Sequence, residues 1–175
     1  MDQPLDLIRS CIRDVPDFPK PGILFKDITP LLRSADGLRT ALDLLAAPFL
    51  DAGITAVVGM ESRGFIFGVP LAERLQAGFV PVRKPGKLPA ATISEEFSLE
   101  YGTDTLHMHQ DALGAADRVL IVDDLLATGG TAAATVRLVR RLGAGVCGAA
   151  FVIELDFLAG RNQLSGLTVH SLLHY

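Results

Sequence analysis

The sequence predicts an α/β fold in which a mostly parallel central sheet carries helices on both faces. Three observations point there. Short, near-continuous apolar runs alternate with segments of helical period, the pattern of strands buried on both faces and linked by crossover helices. The 175 residues suit one domain at about 150 residues apiece, enough to bury a core without disulfide or metal staples. Hydrophobic residues make up 49% and charged residues 21%, which excludes a chain too polar to collapse.

The elements follow in order. Residues 4–13 set Leu5, Ile8 and Cys11 at helical spacing, with Leu7 and Ile12 beside them and Pro4 where a first turn tolerates it. Residues 14–30 hold four prolines and no sustained period, so ordered irregular backbone is expected. Phe18, Ile23, Leu24, Phe25 and Ile28 make this segment too apolar for a solvated linker, and such segments commonly cover a pocket. Residues 38–50 read as a helix with Leu42, Leu45 and Phe49 on one stripe and Gly53 as its stop. A strand over 54–60, a helix over 65–75 and a strand over 79–83 form a β-loop-α-β unit. Residues 84–96 are charged, with a glycine and two prolines, and predict a mobile loop. Segments 97–101 and 105–109 alternate like a half-exposed antiparallel pair. A buried strand over 118–122, a helix over 131–142 and strands over 146–155 and 168–173 complete the chain.

Charge and cysteine usage narrow the function classes. Sixteen Lys and Arg against twenty Asp and Glu give a net charge of −4, a poor field for collecting nucleic acid. Cys11 and Cys147 lie far apart in no CxxC pairing, which argues against a disulfide framework and a zinc knuckle and favours a reducing compartment. They read as small buried hydrophobes. The N-terminus has no signal-peptide pattern and the longest apolar run, 142–153, falls short of the ~18 residues of a membrane span. A soluble, unprocessed, cytoplasmic protein is expected.

The sharpest feature is Val119-Leu120-Ile121-Val122-Asp123-Asp124-Leu125-Leu126-Ala127-Thr128-Gly129-Gly130-Thr131, an apolar strand running into two carboxylates, then a small-residue loop that opens a helix. The amides of Ala127, Thr128, Gly129, Gly130 and Thr131 would meet an anion at the positive end of that helix. The hydroxyls of Thr128 and Thr131 add donors. Asp123 and Asp124 can accept bonds from a vicinal diol or hold a hydrated magnesium ion. Phosphate plus diol indicates a ribose 5-phosphate. A plain βα turn capped by Asp124 is the simpler alternative, disfavoured because strand, paired acids, Thr-Gly-Gly-Thr and helix onset coincide. Gly143-Ala144-Gly145-Val146-Cys147-Gly148 matches G-x-G-x-x-G by letter but follows a helix and precedes a strand, and Gly59 to Gly64 has P-loop spacing without the lysine.

The Asp123 segment resembles the phosphoribosyl-pyrophosphate signature of the type I phosphoribosyltransferases, and the rest of the chain resembles the adenine-using branch of that family. The segment Phe18-Pro19-Lys20-Pro21-Gly22-Ile23-Leu24-Phe25-Lys26-Asp27 is similar to its N-terminal hood over the base, and Glu61-Ser62-Arg63-Gly64-Phe65 to its pyrophosphate loop. Arg83-Lys84-Pro85-Gly86-Lys87, Ser98-Leu99-Glu100-Tyr101-Gly102 and Ser171-Leu172-Leu173 also fit. The resemblance implies one phosphoribosyltransferase domain, with a hood over about 1–33, a core over about 34–175 and a flexible β-loop over about 84–104. The implied reaction joins adenine to phosphoribosyl pyrophosphate with magnesium, giving AMP and pyrophosphate in purine salvage, and the implied assembly is a homodimer.

Breaking the C1′–O bond develops positive charge on the ribose and negative charge on pyrophosphate, so carboxylates belong near the sugar and cations at the leaving group. Arg63, Arg83, Lys84 and Lys87 suit the second place. By resemblance, Glu100 would manage a proton on the purine imidazole and Tyr101 would reach the pyrophosphate. Adenine would stack between Phe25 and Leu155, with the Leu24 backbone reading its edge against 6-oxo purines. Lys26 stands where the family has arginine, which keeps the charge and loses the planar fork. A 6-oxo-purine phosphoribosyltransferase, a nucleic-acid-binding regulator on the same fold and a non-catalytic nucleotide-binding subunit are the alternatives. The hood argues against the first, the acidic chain against the second, and Glu100 with Arg63 against the third. His107 and His109 share a strand face without a third ligand and read as solvent-facing, and His170 and His174 as structural.

Overall fold

The computed structural model describes residues 3–98 and 102–175, and the chain divides into two compact units, Met1–Leu44 and Leu45–Tyr175. The first opens with α1 (Gln3–Ser10) and continues through β1 (Arg13–Pro16) and β2 (Leu24–Asp27), which pair antiparallel with Val15 opposite Phe25. This hairpin corrects the expectation of irregular backbone over 14–30. Pro16 ends a strand and Pro19 and Pro21 fall in the connection, where no ladder N–H is needed. Gly22 takes the left-handed turn at φ +88° and donates its N–H to Asp17 Oδ1 at 2.8 Å.

Two helices follow, α2 (Thr29–Arg33) and α3 (Ala35–Ala46). Asp27 accepts the Thr29 N–H and hydroxyl, both at 2.9 Å, and the backbone bond, above all, holds its carboxyl below the usual range. The α3 helix begins before residue 38 because the Ser34 hydroxyl accepts the Gly37 N–H at 3.1 Å. It gives way to a tight turn at Ala47–Phe49, where Pro48 denies the next helical hydrogen bond.

The second unit runs β3 (Ala56–Met60), α4 (Arg63–Arg74), β4 (Gly78–Val82), β5 (Thr92–Ser98), β6 (Thr103–His109), β7 (Arg118–Leu126), α5 (Gly130–Arg141), β8 (Gly145–Glu154) and β9 (Val169–His174). Five strands form a parallel sheet in the order β4-β3-β7-β8-β9. Every residue of β3 is buried, as its unbroken apolar run requires. Ala56, Val58, Met60, Val119 and Ile121 meet Ala132, Val136 and Val139 of α5 on one face. On the other, α4 lies so close that a Cβ at Gly59 would stand 2.8 Å from the Phe79 ring and 3.1 Å from the Gly64 carbonyl. Fully burying each large aliphatic side chain contributes about 1.5–3 kcal/mol.

Two strands, β5 and β7, extend at least four residues beyond their sequence-read bounds. The antiparallel partner of β6 starts at Thr92, well inside the segment expected to be a mobile loop, with Phe97 opposite Asp104. Its charges misled the reading because Glu95 is held by Arg137 and Arg141 of α5 at 2.5 and 3.2 Å, while Phe97 turns into the core. Strand β7 continues to Leu126, four residues past the apolar run. It can do so because β8 keeps pairing with it through Leu126 opposite Glu154, whereas β3 lets go at Val122.

Candidate active site

The chain leaves β3 for β4 on one side and returns to β7 on the other, so the carboxyl ends of β3 and β7 meet where the connections diverge. In open α/β sheets this is where ligands bind. The loop after β3 carries Glu61 and Ser62 and leads into Arg63 at the start of α4, and that after β7 spans residues 127–129. Between them lies a cavity of about 260 Å³ whose lining includes Arg63, Asp123, Asp124 and residues 127–131. The structure thus gathers the sequence-derived phosphate loop, both acids and one predicted cation.

Gly129 caps α5 in the left-handed region at φ +84°, a conformation that favours glycine. The first amides of α5, from Gly130 and Thr131, have no acceptor inside the helix and sit at its positive end. Asp123 and Asp124 belong to β7 itself, a correction to their expected place beyond the strand end. Arg63, the first residue of α4, brings its Nε within 2.6 Å of Asp124 Oδ2. Burial, and then the neighbouring Asp124 charge, push the Asp123 carboxyl well above its usual range.

Two of the three remaining cations, Arg83 and Lys87, converge on a carboxylate that sequence reasoning left without a role. Glu61 accepts Arg83 Nε at 2.8 Å and Lys87 Nζ at 2.7 Å. Burial pushes its carboxyl up, but Lys87, the Lys84 amide and Arg83 together hold it below its ordinary value. Arg83 also lies over the Phe65 ring, 5.8 Å from its centre. Lys84 turns to Asp104 at 3.0 Å. Glu61 is the first residue of the recognised Glu61-Ser62-Arg63-Gly64-Phe65 loop, so its position was visible; that two cations would fold back onto it was not.

In the first unit, Leu24 is half exposed and Phe25 stacks edge-on against Phe18 at 5.1 Å. The Lys26 ammonium is 2.7 Å from Asp14, with its side chain only 8% exposed, so its charge is engaged by the hairpin. Leu155, in the second unit, is half-buried and donates its N–H to Leu126 at 3.0 Å. Glu100 and Tyr101 lie outside the described residues.

The histidines are not loosely solvent-facing. His107 shares a 3.0 Å hydrogen bond with Thr92 Oγ1, and His109 Nε2 accepts the Ala90 N–H at 3.3 Å; both are half-buried. His174 Nδ1 pairs with Asp156 at 2.8 Å. Cys11 and Cys147 are free and partly exposed, a correction to their expected burial.

A family model described as the phosphoribosyl transferase domain matches residues 30–163. The adenine phosphoribosyltransferase of Methylococcus capsulatus is 61% identical over 98% of this chain and 100% of its own length. The chain belongs to the adenine phosphoribosyltransferase family. Among solved members, the Rhodothermus marinus protein superimposes with a TM-score of 0.95 at 56% identity, covering all of both chains. The Saccharomyces cerevisiae member, crystallised with adenine and an iminoalditol bisphosphate, gives 0.92 at 40% identity over 98% of this chain and 99% of its own. Sequence reasoning did not single out Gly160, whose backbone packs against the 127–129 loop so closely that a Cβ there would collide with the Ala127 carbonyl.

Proposed function

We propose that the protein transfers the 5-phosphoribosyl group of phosphoribosyl pyrophosphate to adenine, giving AMP and pyrophosphate in purine salvage. The observation that carries this reading is the convergence, in one cavity, of the left-handed 127–131 loop at a helix N-terminus with Asp123, Asp124 and Arg63. In this reading adenine N9 forms a bond to C1′ as the C1′–O bond breaks, pyrophosphate leaves with the electron pair, and the N9 proton is lost. The amides of residues 127–131 hold the 5-phosphate. Asp123 and Asp124 face the ribose and its developing positive charge, while Arg63, Arg83, Lys84, Lys87 and Tyr101 take the pyrophosphate. Leu24, Phe25, Lys26 and Leu155 hold adenine, and Glu100 moves the proton at the purine imidazole.

Asp123 and Asp124 share a cavity of about 280 Å³ with Glu61, Ser62 and Arg63, and their carboxylates would hold magnesium through its water shell. Bound there with the donor, it supplies positive charge to the pyrophosphate oxygens. The cysteine pattern supports a cytoplasmic location, and no helix among the described residues is long and apolar enough to cross a membrane. We read the chain as one phosphoribosyltransferase domain that works as a homodimer, which a native mass measurement tests.

The deciding assay follows nucleotide formation from phosphoribosyl pyrophosphate and, separately, adenine, hypoxanthine, guanine and xanthine. AMP from adenine alone, abolished by chelating magnesium, is expected. Preference for a 6-oxo purine would overturn the assignment of Leu24 and Phe25.

A further inference from the structure

Behind the phosphate loop, the turn joining β8 to β9 makes contacts that the mechanism above does not use. Gly160 and Gly129 touch backbone to backbone: a Cβ on Gly160 would collide with the Ala127 carbonyl, and one on Gly129 with the Gly160 carbonyl. No side chain fits between the turn and the loop. The loop therefore rests on Gly160 at a height set by bare backbone contact.

The next residue reaches the other way. Arg161 donates Nε and NH2 to the two oxygens of Glu154 at 3.0 and 2.5 Å, and NH1 to the Val169 carbonyl at 2.8 Å. Glu154 is 4% exposed and takes a third bond from the Ser171 hydroxyl at 2.6 Å. Its own peptide carbonyl receives the Tyr175 N–H at 3.0 Å, while Asp156 donates to Tyr175 at 2.9 Å. Leu155 is thus held between two pinned neighbours. A planar guanidinium bonded on three sides is a stiff strut, because its fork geometry leaves little freedom.

We propose that Gly160 and Arg161 are adjacent positioning residues with separate duties: Gly160 sets the phosphate loop, and Arg161, through Glu154, sets Leu155. The proposal deepens the assigned function and rests on its reading of residues 127–131 and Leu155. Neither residue is in the lining of the cavity at the ends of β3 and β7. Their effect is on where the binding groups stand, and small displacements of such groups are expensive in rate.

The test compares Gly160→Ala, Arg161→Gln and Arg161→Lys by steady-state kinetics with each substrate varied in turn. For Gly160→Ala, KM for phosphoribosyl pyrophosphate rises at least tenfold with the adenine KM within twofold. For Arg161→Gln, the adenine KM rises at least fivefold with the other within twofold, and Arg161→Lys recovers part of it. A merely structural role would move both constants together or lower only the yield of active protein, and either result overturns the proposal. Should Gly160→Ala not fold, the two Arg161 variants decide by the same criterion. Unchanged constants in the variants of an active protein overturn the positioning role alone. An unmodified protein that makes no AMP from adenine overturns the functional reading and this proposal with it.

Discussion

Replacing Arg63 with glutamine removes the one cation that the described residues contribute to a cavity whose lining otherwise includes Glu61, Asp123 and Asp124. Arg63 Nε is 2.6 Å from Asp124 Oδ2, and the two side chains are 46% and 7% exposed. Unit charges centred about 4 Å apart attract by about 4 kcal/mol at an effective dielectric constant of about 20. Half-exposure of the arginine screens that to about 2 kcal/mol. Asp124 cannot follow its partner into water, and the Asp123 carboxyl beside it is already destabilised by the same charge. Arg63→Gln is therefore expected to lower stability by about 2 kcal/mol, a fall in Tm of about 4–8 °C for a chain of this size. The assay is thermal melting at neutral pH and low salt, with and without magnesium, which should restore part of the loss by binding the released carboxylates. An unchanged or raised Tm would refute the reasoning, because it would mean the acids do not need the guanidinium.

Three further outcomes are expected. Gly129→Ala places a side chain at φ +84° against the Gly160 carbonyl; losing one charge-assisted amide bond, about 1.5–3 kcal/mol, raises KM for phosphoribosyl pyrophosphate by about tenfold to about 150-fold, readable in initial rates. Glu154→Gln removes the charge that Arg161 and Ser171 stabilise, and should cost about 1–3 kcal/mol at pH 7 by denaturant titration, below a fully buried pair because Arg161 is 44% exposed. Despite burial, which pushes it up, the Glu154 carboxyl is held below its ordinary value in the folded protein. The stabilisation is thus fully present above the unfolded pKa of about 4.3 and is lost as pH falls through the folded value, so parent and variant should converge in melts taken from pH 7 downward.

The parts of the site that were legible in sequence are those carried by local chemistry. The apolar run into Asp123-Asp124 and Thr128-Gly129-Gly130-Thr131 specifies a strand, an acidic pair and a small-residue loop opening a helix with no reference to distant residues, and the structure has all three. The hairpin of β1 and β2 was hidden because its prolines, placed in the connection, broke the alternation that marks a strand. The early start of β5 was hidden because Glu95 looks like a solvated loop charge until Arg137 and Arg141 are set beside it.

What the sequence determined by itself was the order of elements from α3 onward, the parallel buried sheet and the phosphate loop, since period, turn residues and helix polarity act over a few residues. The tertiary structure alone decided which groups share a space. Arg83 and Lys87, more than twenty residues beyond Glu61, fold back onto its carboxylate, and Gly160 slides beneath Gly129 after an intervening helix and strand. Such pairings depend on where the sheet places chain segments, and the burial and backbone contact that make Glu61, Glu154 and Gly160 matter arise only once those segments are packed.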